Sequence, residues 1–382
     1  MRIVILYNSC WYVYLLRKNL IRALKNCGHH ITVIAPRDEY TDKVISLGVD
    51  FLHLNLSRCG TNPVRELWTL RDLVHKLRCS RPSVVLSYTV KCNLYAGLCQ
   101  YIMRFHHLPN IAGLGQLFES TGILRHLIHR LYRAGLYHSS KIFFQNREDL
   151  DHFVQHRIIP PGSCARLPGS GVDLQTFHPV TKKKTLDRRF LILGRLLPQK
   201  GFQMFLQVAR QLKPRYGRLV SFWVLGSPDY ERPESLSLWH NIQKAHALGD
   251  IRYIPKSDTP VKIIQEADVI VLPSHYNEGV PRSLLEALAC AKPIITTDWK
   301  GCRDTVIENK NGILCQVEDP SSLEKAIEAY LQMDYETLCK HGTYGRRLAE
   351  EQFDEATVTK AYLKAITDIR REHHKGTKRV VA

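Results

Sequence analysis

Two glutamates stand eight residues apart in this chain of 382 residues, and a glycine directly follows the first. Glu278 and Glu286 bound the run Glu-Gly-Val-Pro-Arg-Ser-Leu-Leu-Glu, and apolar residues at helical spacing follow its proline. Pro281 is therefore predicted to be the first residue of a helix. Backbone N–H groups around Gly279 and Val280 would then point from the positive end of that helix toward an anion.

The two carboxylates suit hydroxyl groups, because they repel phosphate and accept hydrogen bonds from O–H donors. At about 1.5 Å of rise per helical residue, Glu278 and Glu286 would lie on the order of 10 Å apart. That separation fits a ligand with hydroxyls at both ends and a diphosphate in the middle, which is the shape of a nucleotide sugar. Taken by itself, the spacing is more often that of an acidic helix start and one solvated glutamate.

Two cations follow an earlier apolar run, Phe190–Gly194. Arg195 would lie at the carboxyl end of a strand, and Lys200 would precede a glycine that opens a helix over residues 202–212. An arginine can form two parallel hydrogen bonds to phosphate oxygens, and a lysine supplies a point charge. Together they could neutralise a departing diphosphate. Taken singly, each is more often an ordinary surface cation.

Strand-like apolar runs alternate with helical patterns along the whole chain, which predicts parallel sheets covered by helices on both faces. The runs fall at 3–6, 31–35, 51–54, 83–87, 110–112 and 141–144, and again at 190–194, 219–225, 251–254, 269–272, 293–297 and 312–315. The predicted fold class is α/β, with two Rossmann-like doubly wound domains. Their strands would end at a ligand crevice between the domains.

The predicted domains are residues 1–178 and residues 179–355. The remaining segment, 356–382, is predicted to form a helix that crosses back to the first domain and a frayed tail. A turn-rich stretch, Pro168–Asp173, and the basic linker 182–184 indicate the junction.

The formal charge of +18 at pH 7 calls for a polyanionic partner or another explanation. Residues 1–178 hold 22 Lys and Arg against 11 Asp and Glu, whereas the remainder holds 32 against 25, so the first domain carries more of the excess. No helix-turn-helix, zinc-finger or RNA-stacking motif is present. An anionic membrane surface or a phosphorylated substrate therefore explains the charge better than nucleic acid.

An amphipathic helix is predicted over residues 122–135. One side would be apolar (Ile123, Leu127, Leu131, Ala134) and another basic (Arg125, His129, Arg130, Arg133). Two interpretations fit this pattern: a helix on a membrane surface, and a helix packed on the sheet with a solvated outer face. Further cations of the same domain are Arg58, Arg65, Arg71, Lys76, Arg78 and Arg81.

No apolar run approaches the roughly 18 to 20 residues that span a bilayer, and the opening run is too short for a signal-peptide core. Eleven cysteines show no C-x-x-C or Cys/His ligand spacing, which indicates small buried residues in a reducing compartment. The predicted location is the cytoplasm.

The two motifs together, Gly-Arg-x4-Lys-Gly at 194–201 and Glu-Gly-x-Pro-x-Ser-x2-Glu-Ala at 278–287, resemble the family 4 retaining glycosyltransferases of GT-B fold. The resemblance covers nearly the whole chain and includes the segments 171–173, 177–179, 223–226, 297–298 and 301–302. Within the family, residues 35–42, 91–93 and 113–115 resemble bacterial enzymes that extend undecaprenyl-diphosphate-linked sugars.

The resemblance implies a catalytic set and a donor-binding set. Arg195 and Lys200 would bind the donor diphosphate, Glu278 the sugar hydroxyls and Glu286 the ribose. Backbone at Gly279, Val280 and Pro281 would line the phosphate and sugar site, Ile254 would contact uracil, and Asn8 and Ser9 would face the diphosphate from the first domain. Arg17 would meet the acceptor phosphate.

The implied reaction needs no protein nucleophile and no metal. The acceptor hydroxyl would enter on the face that UDP leaves, and its proton would pass to the leaving phosphate, so that configuration is retained. The implied substrates are a UDP-sugar carrying a hexose or N-acetylhexosamine and a lipid-diphosphate saccharide. The implied place is the inner face of the plasma membrane, as a peripheral protein, in surface polysaccharide or glycan assembly.

This chain departs from the family at one point, because no histidine follows the strand at 109–115. His106 and His107 lie upstream and are weaker candidates for a catalytic role. Asp149-Leu-Asp151 has the Asp-x-Asp spacing of metal-dependent glycosyltransferases of the other main fold, but it fits a capped helix start better.

Two other functions stay open at this stage. A nucleotide-sugar 2-epimerase has the same two-domain architecture, but needs acid and base residues that the first domain does not show. A noncatalytic basic protein that binds membranes or nucleic acid would explain the charge, but not the set of Arg195, Lys200, Glu278 and Glu286.

Overall fold

Two parallel β-sheets organise the chain, and each belongs to a separate unit. The computed structural model describes residues 1–57, 62–114, 122–181, 185–255, 257 and 259–380, with backbone only at 122–124 and 372–380. The first unit comprises Met1–Ser170 and the segment from Ala356 onward, and the second comprises Gly171–Glu355. The predicted α/β fold class with two doubly wound sheets is confirmed.

The first unit has seven parallel strands: β1 (Arg2–Leu6), β2 (His30–Ala35), β3 (Asp50–His53), β4 (Val84–Tyr88), β5 (His106–Ile111), β6 (Ile142–Phe144) and β7 (Cys164–Arg166). They lie in the order β3-β2-β1-β4-β5-β6-β7, so the direction of winding reverses between β1 and β4. Six strands overlap the predicted runs. Strand β7 was not predicted, because its sequence, Cys-Ala-Arg, is only partly buried and is not an apolar run.

Helices cover both faces of this sheet: α1 (Cys10–Asn26), α2 (Thr41–Ile45), α3 (Pro63–Ser80), α4 (Val90–Cys99), α5 (Gly122–Leu136) and α6 (Arg147–Gln155). Successive strand residues point to opposite faces. Ile5 packs in one core with Val13 of α1, whereas its neighbour Val4 packs in another core with Leu73 of α3 and Ala96 of α4. Burial on both faces is the reason that these strands are continuous apolar runs.

The second unit has six parallel strands: β8 (Arg188–Leu193), β9 (Val220–Leu225), β10 (Arg252–Ile254), β11 (Val269–Leu272), β12 (Ile294–Thr297) and β13 (Gly312–Cys315). Their order is β10-β9-β8-β11-β12-β13, which places the reversal between β8 and β11. The helices are α7 (Phe202–Tyr216), α8 (Pro233–Ala247), α9 (Pro260–Glu266), α10 (Arg282–Ala289), α11 (Pro320–Gln332) and α12 (Tyr335–Gln352).

The chain passes from the first unit to the second after Ser170, not after residue 178 as predicted. The N–H of Val172 donates to the carbonyl of Phe353 at 2.9 Å, deep in the second unit. Val172 and Phe177 are buried in the same core as that phenylalanine. These contacts bind the segment before residue 178 to the second sheet.

The last helix, α13 (Glu355–Val380), completes the first unit. Val358, Tyr362 and Ile366 are buried in the core that also holds α1. Asn110 in β5 donates its Nδ2–H to the hydroxyl of Tyr362 at 2.9 Å. The first hydrophobic core is therefore built from both ends of the chain.

The acidic start of α6 confirms the predicted capped helix. The side chain of Asn146 accepts a hydrogen bond from the N–H of Asp149 at 2.7 Å and donates to its carboxylate at 2.9 Å. Asp151 lies 3.4 Å from the Nε of Arg147, one turn earlier. Both aspartates thus have roles in starting the helix.

His107 is a structural residue of β5, fully buried near the start of the strand. Its Nε2 lies 2.7 Å from Ser87 Oγ, and its Nδ1 lies 3.0 Å from Ser139 Oγ. Burial lowers the pKa of its ring to about 3. At about 3.3 Å per residue, the ring is roughly 13 Å from the carboxyl end of the strand, where ligands bind such sheets.

We expect protonation of His107 to destabilise the fold in acid. The folded protein holds the ring neutral, whereas the ring in the unfolded chain takes up a proton near its ordinary pKa of 6.5. The free energy of unfolding should therefore be highest above pH 6.5 and fall by about 1.4 kcal/mol for each pH unit below it. Urea unfolding at pH 7, 6 and 5 measures this slope. His107→Gln should flatten it and the exposed control His240→Gln should not; equal slopes in both would contradict the assignment.

Candidate functional site

The sequence-predicted residues of the second unit gather where its winding direction reverses. Strand β8 pairs in parallel with β11, with Leu191 opposite Ile270. The loops that follow these strands, 194–200 and 273–281, therefore leave the sheet side by side at its carboxyl edge. Open parallel sheets bind ligands at such a point.

Gly201 holds these two loops in contact. It has φ +79°, and a Cβ at this position would overlap the carbonyl oxygen of Pro273. The N–H of His275 donates to the carbonyl of Gln199 at 2.9 Å, and the hydroxyl of Ser274 donates to the same oxygen at 3.2 Å. Hydrogen bonds between the loops thus fix the backbone around the predicted residues.

Lys200 and Glu278 form an ion pair across the two loops. The Nζ of Lys200 contacts the Oε1 of Glu278, and their side chains are only 10% and 21% exposed. The same ammonium lies 5.7 Å from the ring centroid of Tyr276. The structure thus brings together two residues that the sequence analysis assigned to one site, and the pair offers both a cation and a hydroxyl acceptor.

Helix α10 begins at Arg282, so the prediction that Pro281 is the first helical residue is wrong by one position. Pro281 is the N-cap, because its ψ of 122° is extended although its ring holds φ at −61°. Its carbonyl accepts hydrogen bonds from the N–H groups of Leu284 and Leu285 at 3.1 and 3.3 Å.

The loop after β12 supports the segment that leads into α10. Gly279 and Val280 are buried. Gly301 has φ +76°, and a Cβ there would overlap the carbonyl oxygen of Gly279. The hydroxyl of Thr297 donates to the carbonyl of Ser274. Three neighbouring loops, after β8, β11 and β12, therefore interlock through backbone contacts.

Glu286 faces a charge from its own helix. Its Oε1 accepts a hydrogen bond from the Nε of Arg282 at 2.7 Å, with 13% of the glutamate side chain and 22% of the arginine side chain exposed. Burial raises the pKa of Glu286, and the neighbouring guanidinium opposes that shift. Arg282 was not among the predicted site residues, although its spacing of four residues from Glu286 was the available signal.

Arg195 and Ile254 also lie at this edge of the sheet. Arg195 is half-buried, and its carbonyl accepts a hydrogen bond from the N–H of Leu197 at 2.8 Å. Ile254 is half-buried at the end of β10, where its carbonyl accepts from the N–H of Gly226 at 3.2 Å. Their contacts with diphosphate and uracil stay predictions.

In the first unit, Asn8 and Ser9 follow β1 at the reversal point of that sheet. The hydroxyl of Ser9 and the N–H of Trp11 donate to Asp38 Oδ2 at 2.8 and 3.0 Å. The N–H of Tyr40 donates to the other carboxylate oxygen at 2.9 Å. Asp38, which the sequence analysis did not single out, therefore holds the loops after β1 and β2 together. A diphosphate contact at Asn8 and Ser9 stays a prediction.

Arg17 lies inside the first unit and is only 2% exposed. Its guanidinium lies 4.2 Å from the ring centroid of Tyr88, a cation–π distance. Burial raises the pKa of Tyr7 and Tyr362, and the charge of Arg17 partly offsets both shifts. The contact of Arg17 with an acceptor phosphate stays a prediction.

The outer surface of the first unit exposes apolar side chains beside cations. On α5, Ile128 and Tyr132 are buried, whereas Leu127 and Leu131 are about half exposed, at 52% and 46%. The side chain of Ile123, predicted for the same apolar side, lies outside the described residues. Among the described residues, no helix is long and apolar enough to cross a membrane.

Helix α3 presents a second such surface, which the sequence analysis missed. Val64, Leu67 and Trp68 are 63% to 69% exposed, and the guanidinium of Arg71 lies 5.6 Å from the indole ring centroid. Their spacing of i, i+3, i+4 and i+7 places all four on one side of the helix. The arginines of this helix were predicted to add to the charge of the domain, but exposure of the apolar residues between them was not predicted.

Comparisons with known proteins find similarity to glycosyltransferases. Residues 173–348 match the family model described as "Glycosyl transferases group 1". The N,N'-diacetylbacillosaminyl-diphospho-undecaprenol alpha-1,3-N-acetylgalactosaminyltransferase of Campylobacter jejuni is 28% identical, over 95% of this chain and 98% of its own. The putative colanic acid biosynthesis glycosyltransferase WcaL of Escherichia coli is 27% identical over 50% of this chain and 48% of its own.

Solved structures show the same fold. The Anabaena protein Alr3699/HepE, crystallised with UDP and glucose, superposes with a TM-score of 0.80 over 96% of this chain and 100% of its own, at 14% identity. A glycosyltransferase of Rickettsia africae gives a TM-score of 0.78 over 96% and 98%, also at 14% identity. The chain therefore has the GT-B fold.

We expect Gly301→Ala to disturb the loop that carries Gly279. The substitution adds a clash with the Gly279 carbonyl to the strain of a positive φ, whereas Gly249, at φ +78°, has open space around its missing Cβ. The strain alone costs about 1 to 2 kcal/mol, and the clash should add roughly 1 to 3 kcal/mol. Thermal unfolding of Gly301→Ala beside Gly249→Ala separates the two terms. Equal losses of stability would show that the loops do not depend on this contact.

Proposed function

The chain carries a group 1 glycosyltransferase domain, and on that premise we propose that it is a retaining glycosyltransferase that uses a UDP-sugar. It moves a hexose or N-acetylhexosamine to an undecaprenyl-diphosphate-linked saccharide in surface polysaccharide or glycan biosynthesis. The observation that carries this proposal is the Lys200–Glu278 pair at the reversal point of the second sheet.

In the proposed reaction, the donor diphosphate replaces Glu278 as the partner of Lys200. The released carboxylate of Glu278 then accepts hydrogen bonds from hydroxyls of the transferred sugar. Arg195 adds a second cation on the phosphates, with the geometry to contact two oxygens. Charge that develops on the leaving group thus meets fixed cations in a partly dry site, where electrostatic stabilisation is strong.

The bond changes balance without a protein nucleophile. The bond between the anomeric carbon and the phosphate oxygen of UDP breaks, and the acceptor hydroxyl oxygen forms the new bond on the same face. The hydroxyl proton passes to the departing phosphate. Because Lys200 and Arg195 supply the charge that a metal ion supplies elsewhere, we propose that the reaction needs no metal.

The relatives support the choice of substrates. The Campylobacter jejuni enzyme is named for a diphospho-undecaprenol acceptor, and it aligns with nearly the whole of this chain. The Anabaena protein of the same fold was crystallised with UDP and with UDP-glucose. A UDP-sugar donor and a lipid-diphosphate acceptor are therefore the substrates to test first.

We propose that the protein works as a peripheral protein on the inner face of the plasma membrane. The cations of the first unit attract anionic lipid at about 1 kcal/mol for each well-placed charge, and salt screens this attraction. Leu127 and Leu131 on α5 and Leu67 and Trp68 on α3 are exposed apolar residues that can enter the lipid interface. Tryptophan is enriched at the interface between lipid and water.

We expect UDP release only with UDP-sugars and a lipid-diphosphate saccharide acceptor. Purified protein is assayed with a panel of UDP-, GDP- and TDP-sugars, with and without acceptor, and with EDTA, which should change the rate little. Lys200→Ala should lower kcat/KM at least roughly a hundredfold, because one donor that stabilises the transition state is lost. This fall corresponds to about 3 kcal/mol of transition-state stabilisation.

The matched control is Lys340→Ala, which removes the lysine of an exposed pair with Glu336 in the same unit. Circular dichroism checks that both variants fold. Full activity in Lys200→Ala, or turnover with another nucleotide sugar in preference to UDP-sugars, would contradict the proposal.

We expect the double variant Leu67→Glu, Trp68→Glu to lose membrane binding. Each substitution replaces an exposed apolar side chain with a negative charge that anionic lipid repels, so vesicle affinity should fall at least about tenfold. Sedimentation with phosphatidylglycerol and phosphatidylcholine vesicles at low and high salt measures binding. Leu248→Glu, at an equally exposed leucine of the second unit, is the control. Unchanged binding in the double variant would exclude α3 from the membrane contact.

A further inference from the structure

A cleft at the end of α3 gathers three arginines of the first unit. It has a volume of about 510 Å³ and is lined by Arg2, His75, Arg78, Cys79 and Arg81. All five residues are exposed, so a solute can reach them. Because Arg2 is the first residue of β1, the cleft lies at the amino edge of the sheet. Parallel sheets of this kind bind their substrates at the opposite, carboxyl edge.

No acidic side chain balances these arginines. Arg2, Arg78 and Arg81 form no ion pair within the described part of the chain. The two acids of α3 are paired with lysines that do not line the cleft. Guanidinium groups stay charged at any ordinary pH, so their mutual repulsion has no counter-charge from the described residues.

Helix stability explains only part of this arrangement. A cation in the last turn of a helix faces unpaired carbonyl groups, which accounts for Arg78. Arg81, the residue that ends α3, has φ +42° and ψ +60°, a left-handed conformation that is strained for an arginine and unstrained for a glycine. Arginine thus occupies a position where glycine would fit the backbone better, and it adds charge to the cleft.

We propose that this cleft binds a phosphate group. A guanidinium presents planar N–H donors that fit two phosphate oxygens at once, and the three arginines balance the charge of a phosphomonoester. The imidazole of His75 can donate a further hydrogen bond. The proposal does not depend on the proposed transfer reaction, because the cleft lies at the other edge of the sheet from Asn8 and Ser9.

The phosphate is either free in solution or carried by a lipid. A groove on the outer side of α3 shares His75 and Arg78 with the cleft and continues to Leu67, Leu70 and Val74. These positions follow the helical repeat, so they form one partly apolar strip that ends at the arginines. A lipid would place its phosphate in the cleft and an acyl chain on the strip, whereas a free phosphate needs the cleft alone.

Alkylation of Cys79 tests the proposal, because its thiol lines the cleft and a bound phosphate shields it. The full chain is treated with iodoacetamide, and mass spectrometry gives the rate at each cysteine with and without inorganic phosphate. A dissociation constant of about 1 mM would make about 10 mM phosphate slow the reaction at Cys79 roughly tenfold. The exposed thiols of Cys27 and Cys339 should react at an unchanged rate. Sodium chloride at equal ionic strength should protect little, since it only screens charge.

Two variants separate binding from stability. Arg81→Gly removes a guanidinium and relieves the left-handed strain, so it should lose most of the protection without lowering the melting temperature. Arg2→Gln should lose protection as well. The control is Arg22→Gln, which makes the same change in net charge at an exposed arginine of α1 and should keep the protection of the wild type.

Vesicles distinguish the two sources of phosphate. Protection of Cys79 by phosphatidate vesicles, but not by phosphatidylglycerol vesicles or free phosphate at the same concentration, would support a lipid phosphomonoester. Equal or stronger protection by free phosphate would support a soluble ligand. Protection by neither source, equal protection by sodium chloride, or wild-type protection in both Arg2→Gln and Arg81→Gly would overturn the proposal.

Discussion

The parallel pairing of β8 with β11 is the constraint on which the arrangement of the second unit depends. It sets two loops side by side, and Lys200 and Glu278, which are 78 positions apart in the sequence, meet across them. Both side chains are largely buried, and an unpaired charge there would destabilise the fold. Their ion pair removes this cost. In the proposed reaction, the same groups exchange this contact for phosphate and sugar hydroxyls, so one pair serves stability and donor binding in turn.

The strands were predictable because most of them are buried on both faces, and their sequences are therefore continuous apolar runs. The placement of Arg195, Lys200 and Glu278 at the carboxyl ends of strands followed from those runs and from the family motifs. The partners of these side chains were not predictable, since they depend on which strands lie side by side. The mutual contact of Lys200 and Glu278 is of this kind. Arg282 and the outer side of α3 were predictable in principle, because helical spacing places Arg282 beside Glu286 and groups the apolar residues of α3 on one side.

Charge and apolar exposure have separate roles on the surface of the first unit. In the proposed membrane association, the excess cations act over about one Debye length, roughly 8 Å at physiological ionic strength, and attract the protein to anionic lipid. Contact then depends on a few apolar side chains, such as Trp68 and Leu127, which act only at the interface. High salt should therefore weaken the first approach more than the final contact.

The return of α13 to the first unit has a consequence for the order of folding. A ribosome delivers residues 171–355, which hold every strand of the second sheet, before it delivers Val358, Tyr362 and Ile366. During synthesis, the second unit can therefore form its whole hydrophobic core while the core of the first unit still lacks the residues of α13. Until α13 is synthesised, the first unit exposes the apolar surface that this helix covers. A truncation before α13 would leave that surface exposed permanently.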